Sequence, residues 1–200
     1  LYRDWRSNYR SYTKSIKEAF EGGSTWTASF DLTACFDSID HRVLRDRLTE
    51  IGVDQDLSST LLQWLCKWNV HNNNEPVYIE HGIPQGPIAS GILSEVVLSY
   101  FDAKPRSKNV VYLRYVDDIR LFASSEVLIR KSLIDLDMAS KQIGLFPQSG
   151  KIKIHLIDDI EDEVKSVSNP PENIYDEDRE IDQESVSRRL IELSKGLEIK

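Results

Sequence analysis

The chain has 200 residues, 40% of them hydrophobic and 29% charged, with a formal net charge of −8. That suits one soluble globular domain, or one domain with a tail. It excludes a membrane span, which needs roughly 18 consecutive apolar residues, and LYRDWRSNYR at the start is no secretory signal. Cys35 and Cys66 lack CxxC or Cys/His spacing, so neither a zinc site nor a disulfide framework is expected, but two reduced buried thiols in a cytoplasmic protein. The first residue is Leu, and a piece of a longer protein is expected. An acidic total is unusual for a chain that grips phosphate backbones, yet much of the excess sits in 158–184 while the first twenty residues are basic.

In chain order, Trp5, Tyr9, Tyr12, Ile16 and Phe20 recur at helical spacing with Arg3, Arg6, Arg10, Lys14 and Lys17 between them. This predicts an amphipathic helix that packs its aromatics and solvates its charges; a nucleic-acid face is the sharper alternative. Gly22 and Gly23 end it, and TWTASFDL (25–32) is a strand. Asp40 N-caps a helix running to Gly52, and Asp54 caps another through LLQWLCKW. HNNNEP (71–76) is a turn and VYIE (77–80) a short strand. Ile88, Ile92, Val96 and Tyr100, four apart, predict a helix over 85–101 that begins just after Pro84. NVVYLRYV and IRLFAS flank Asp117–Asp118 as a tight hairpin, SEVLIRKSLIDLDMASKQIG is helical, and KIKIHLI is a last strand. Residues 158–184, with Pro170–Pro171 and charge runs, read as a solvated linker, and 185–199 as a short final helix. The order predicts an α+β fold: a ferredoxin-like split βαβ pattern with an antiparallel sheet and helices packed on one face.

In such a sheet the first and third strands are neighbours, so Asp31, at the end of the first strand, meets Asp117 and Asp118 in the hairpin turn. Three clustered carboxylates repel one another and need cations. Hard oxygen ligands suit Mg²⁺, and two ions about 3.5–4 Å apart serve phosphoryl transfer. Alone, a DD turn is weak evidence, because Asp favours turns. GIPQG (82–86) adds an open helix start followed by small residues, Gly86, Ala89, Ser90 and Gly91, where unpaired N–H groups let a substrate approach; a plain tight turn explains its Pro and Gly but not the whole run.

Together, FDLTACFDSIDH, GIPQGPIASGIL and YLRYVDDIRLFA resemble motifs A, B and C of reverse transcriptases in the right order, and IGLFPQSGKIKI resembles motif D. The resemblance covers about residues 25–157, the palm core of the polymerase; it leaves 1–24 as a helix leading in from missing fingers and 158–200 as an acidic linker with a short C-terminal helix. The IPQGPxAS form and the RYVDDIRLFA context are similar to bacterial reverse transcriptases, especially the abortive-infection and other defence-associated groups.

The resemblance implies an RNA-directed DNA polymerase that extends a primer on a nucleic-acid template with dNTPs, using two Mg²⁺ ions for which Mn²⁺ can substitute. By the same implication Asp31 and Asp117 hold both metals, Asp118 completes the acidic cluster, and the Leu32 carbonyl is a further ligand. Phe36 matches the aromatic gate that clashes with a ribose 2′-OH. Gln85 faces the incoming nucleotide, with Gly86 letting the backbone near, and Tyr115 packs beside the primer end. Lys151 matches the motif D lysine, as general acid or as a counter-charge for pyrophosphate. Each has a duller rival: Phe36 as core packing, Lys153 on the same strand face as Lys151, Arg114 and Arg120 as sheet surface rather than neutralisers of carboxylates or primer phosphate. Asp37 and Asp40 shape a turn, and His41, His71, His81 and His155 have no metal-ligand spacing. Fingers and a full thumb would lie outside this stretch, so the isolated piece is expected to be weak or inactive. An RNA-dependent RNA polymerase and a non-catalytic palm serving as an assembly module are the alternatives; neither the priming mode nor the oligomeric state is legible.

Overall fold

Alternation along the strands sets the architecture. In the computed structural model, which describes residues 5–68, 78–104 and 107–167, four strands form one antiparallel sheet in the order β2-β3-β1-β4. They are β1 (Trp26–Phe30), β2 (Val110–Tyr115), β3 (Asp118–Ala123) and β4 (Lys153–Leu156). This is the expected ferredoxin-like order, with the first and third strands side by side. The helices are α1 (Trp5–Glu21), α2 (Cys35–Ser38), α3 (His41–Glu50), α4 (Gln55–Cys66), α5 (Ile88–Asp102), α6 (Glu126–Gln142) and α7 (Ile160–Val167). Residues 1–164 make one unit; residues 165–200 make a second, described only as far as the end of α7.

The main core lies on one sheet face. Ala28, Phe30, Ile119, Leu121 and Ala123 share it with Val97, Leu98 and Phe101 of α5 and Ile129, Leu133 and Leu136 of α6. Each fully buried large side chain there contributes about 1.5–3 kcal/mol relative to exposure. Phe122 and Thr27, on the alternate face, are also buried, and α1 runs against β2 with Tyr12, Ile16 and Ala19 buried. Tyr12 and Ile16 thus pack as an amphipathic α1 requires, with Tyr9 and Phe20 half-buried, and helix cover extends to the second face of the sheet. Two capping expectations hold as well. The Asp40 carboxylate accepts from Arg42 N at 2.7 Å and starts α3, and Asp54 accepts from Asp56 N and Leu57 N at 3.0 Å and starts α4. Such a cap stabilises by about 1 kcal/mol.

Four local expectations are corrected. The motif B helix begins at Ile88 behind Pro87, not just after Pro84; Gly86 has φ +109°, which a continuing right-handed helix cannot contain. Tyr78–Glu80 is not a strand; instead Asp40 and His81 form an isolated bridge. Lys151 lies in a 3₁₀ turn (Ser149–Lys151) ahead of β4, so alternation does not pair it with Lys153. Residues 160–167, read as linker, are helical, and Glu163 of α7 is only 6% exposed. The turn at 71–76, with His71, and the helix at 185–199 lie outside the described residues.

Candidate active site

The register of β1 and β3 pairs Phe30 with Ile119. One residue further along this antiparallel pair, Asp31 and Asp118 leave the same end of the sheet, and Asp117 stands next to Asp118 in the turn that joins β2 to β3. The three acids sense one another. Burial pushes the Asp117 carboxyl above its ordinary pKa and the Asp31 charge adds to this, while its own backbone N–H and Lys151 pull it down. Burial also raises Asp118, Arg120 opposes this, and the charges of Asp31 and Asp117 raise it further. The neighbouring Cys35 thiol, buried in the core, is pushed up to about 12 by burial first and then by Asp117 and Asp31. It stays a neutral thiol beside the cluster.

A strap from motif D closes over Asp31. Gln148 N donates to the Asp31 carbonyl and Thr33 N to the Phe146 carbonyl, both at 2.8 Å, and Leu32 bridges Pro147. The Ser29 hydroxyl donates to the Lys151 carbonyl at 3.0 Å. These bonds deliver the Lys151 ammonium to Asp31 Oδ2 at 2.7 Å, and that hydrogen bond, with the Asp31 charge, holds the ammonium above its usual pKa. Leu32 is buried beneath this strap (3% exposed).

The hairpin turn is strained. Val116 has φ +57°, a left-handed conformation that is an outlier for a β-branched residue. Tyr115 faces α1: its ring lies 6.1 Å from that of Tyr9 and 5.7 Å from that of Tyr12. Both flanking arginines neutralise carboxylates and neither is open sheet surface. Arg120 lies 3.6 Å from Asp118 and 2.9 Å from Glu163. Arg114 pairs with Glu95 and Asp102 of α5. Sequence reasoning missed Glu95, Asp102 and Glu163. The first two are seven apart on an otherwise uncharged helix, and that spacing was the available signal.

Motifs A and B are stitched by backbone. Gly82 N donates to the Ile39 carbonyl at 2.8 Å, Ile83 N to the Phe36 carbonyl at 2.9 Å, and His41 N to the Glu80 carbonyl at 3.0 Å. The buried His41 ring adds Nε2 against the Gly82 carbonyl at 2.7 Å, so it serves packing rather than metal binding. Phe36 is half-buried against the core, a placement compatible with both of its readings. Gln85 and Gly86 are exposed in the bend before α5.

The donors fit a hard divalent cation in their chemistry. Three carboxylates crowd one sheet end, each hairpin acid raised by the charge of Asp31, and an ammonium already sits on Asp31. Among the described residues, however, no three acid, His or Cys side chains as placed converge on a single ion.

Comparisons with known proteins bear on the family and the fold. The chain is 35% identical over 77 residues to the COX1/OXI3 intron 2 protein of Saccharomyces cerevisiae, a match that covers 38% of this chain and 9% of that one. Its fold is similar to a truncated apo telomerase from Candida tropicalis, with TM-score 0.57 and 13% identity over 79% of this chain and 36% of that one. A Candida albicans telomerase bound to a telomeric RNA fragment gives TM-score 0.51 and 16% identity over 74% and 29%. The chain thus spans about a third or less of the proteins it matches. Residues 4–186 match the family model described as reverse transcriptase (RNA-dependent DNA polymerase), and by that match the chain belongs to the reverse transcriptase family.

Proposed function

We propose that this chain is the palm of an RNA-directed DNA polymerase that adds dNTPs to a primer 3′ end on a nucleic-acid template. The observation that carries this reading is the meeting of Asp31, Asp117 and Asp118 at one end of the sheet in a chain of this family. Asp31 and Asp117 would hold two divalent ions, Mg²⁺ or Mn²⁺, with Asp118 and the Leu32 carbonyl completing the set. Bound there, the ions supply charge neutralisation for in-line phosphoryl transfer.

The chain's own groups do the rest. The Lys151 ammonium, on a short turn and 61% exposed, can turn from Asp31 towards a departing pyrophosphate and neutralise or protonate it. Phe36 excludes a ribose 2′-OH by clash. The Gln85–Gly86 bend lies against the incoming nucleotide, and Tyr115 beside the primer end. Fingers and thumb come from other parts of the protein and supply positioning energy that this stretch lacks. A cytoplasmic setting is supported by two free cysteines. A bacterial defence or mobile-element role is supported by the motif B and C wording and by the likeness to an intron protein.

Primer extension by the full gene product tests this. Asp117→Asn should lower dNTP incorporation by at least about 10²-fold, the loss expected when one charge-stabilising group is removed. Unchanged biological activity in Asp117→Asn, despite loss of incorporation, would favour the non-catalytic assembly module, in which Lys151 serves as Asp31's permanent partner.

A further inference from the structure

The Arg114 guanidinium uses every N–H it has. Nε and Nη2 donate to the two oxygens of Asp102, Nη1 and Nη2 to the two oxygens of Glu95, and the second N–H of Nη1 to the Val116 carbonyl at 2.8 Å. Its side chain is 9% exposed. A planar five-donor fork is the one side chain that can satisfy two carboxylates and a carbonyl together; an ammonium has three donors and no plane. The carbonyl it holds belongs to Val116, whose left-handed backbone is disfavoured for valine and persists where surroundings over-determine it. That residue immediately precedes Asp117.

We propose that Arg114 is a positioning residue for the acidic centre: braced on α5 by Glu95 and Asp102, it pins the Val116 carbonyl and so fixes the strained turn that sets Asp117 and Asp118. The functional part of this inference rests on the polymerase reading above, while the clamp itself does not. Without the fifth hydrogen bond the turn relaxes towards ordinary valine backbone, and the two carboxylates lose their common setting while β2 and β3 remain paired.

The test uses the full gene product with Arg114→Lys, Arg114→Lys/Val116→Gly and, as a milder loosening that leaves Arg114 in place, Glu95→Gln. Glycine adopts positive φ without cost, so it should hold the turn without the clamp. Amide exchange at residues 116–118 should quicken about tenfold or more in Arg114→Lys relative to the amides within β2 and β3, and fall back in the double variant. The kcat for single-dNTP addition should drop about 10²-fold, as for a small misplacement of reacting groups, with KM for dNTP within about twofold. Val116→Gly should recover much of that loss. The proposal is overturned if exchange rises equally throughout the sheet, if kcat is unchanged, or if the glycine restores neither readout. Should Arg114→Lys not fold, Glu95→Gln decides by the same two readouts in smaller measure, and unchanged turn exchange there also overturns the clamp. If the wild type adds no dNTP, the polymerase reading fails while the exchange comparison still judges the clamp.

Discussion

Two acids two residues apart in α7 should differ sharply in what they contribute. Glu163 is 6% exposed and accepts from Arg120 Nη1 and from His155 Nε2, each at 2.9 Å. Arg120 is itself 13% exposed. Removing one partner of a buried pair costs about 3–5 kcal/mol, because the other charge is stranded. Here the loss is smaller, since Asp118 remains 3.6 Å from Arg120 and the half-exposed His155 can turn to water. Glu163→Ala should therefore destabilise by about 2–3 kcal/mol, with a melting temperature lower by roughly 4–12 °C for a chain of this size. Glu163→Gln keeps an acceptor and should fall between. Glu161 pairs with Lys17 at 2.5 Å, but both are well exposed, so Glu161→Ala should cost about 0–1 kcal/mol and less in high salt. Urea melts of the three variants read these differences directly. Glu163→Ala within about 0.5 kcal/mol of Glu161→Ala would refute the reasoning, which treats the pair as buried.

Three further outcomes follow from the site. Burial and the charge of Asp31 raise Asp117 in the fold, so the native state holds that proton more tightly than the unfolded chain; the ionised group opposes folding at neutral pH, and the handicap fades as pH falls towards about 3.9. Asp117→Asn should thus stabilise at pH 7, with the gain shrinking on acidification in urea melts; a gain that grows in acid would contradict this. A Cβ on Gly82 would meet the Asp37 carbonyl oxygen at 3.2 Å with φ at +85°, whereas Gly52 has open space at φ +82°; chemical melts should show Gly82→Ala costing more than Gly52→Ala, by about 1 kcal/mol or more. Phe36→Ala should narrow the preference for dNTP over rNTP by tenfold or more in competition assays, and an unchanged ratio would return Phe36 to core packing alone.

The strand order, and with it the arrival of Asp31 and Asp118 at one end of the sheet, was legible because period-2 patterning and a two-residue turn leave little choice of topology. The caps Asp40 and Asp54 were legible for the same kind of reason, being local chemistry. What escaped was non-local. Nothing near Glu163 in sequence reveals that Arg120 and His155 bury it, so an acidic run reads as solvated. Pro87 and the positive φ of Gly86 moved the motif B helix past Gln85, a shift that four-residue periodicity does not register. Lys151 was placed on a strand by alternation, yet Ser29 and the 146–148 strap hold it in a turn on Asp31. Arg114 looked like one of two flanking basic residues until its partners on α5 came into reach through the fold.

The most direct measurement is Mn²⁺ binding to the full gene product, followed by electron paramagnetic resonance in the presence of primer–template and dNTP. Two bound ions are predicted, with Asp31→Asn and Asp117→Asn each losing at least one. Undiminished two-ion occupancy in both variants would mean that these carboxylates are not the ligands, and the central claim would be wrong.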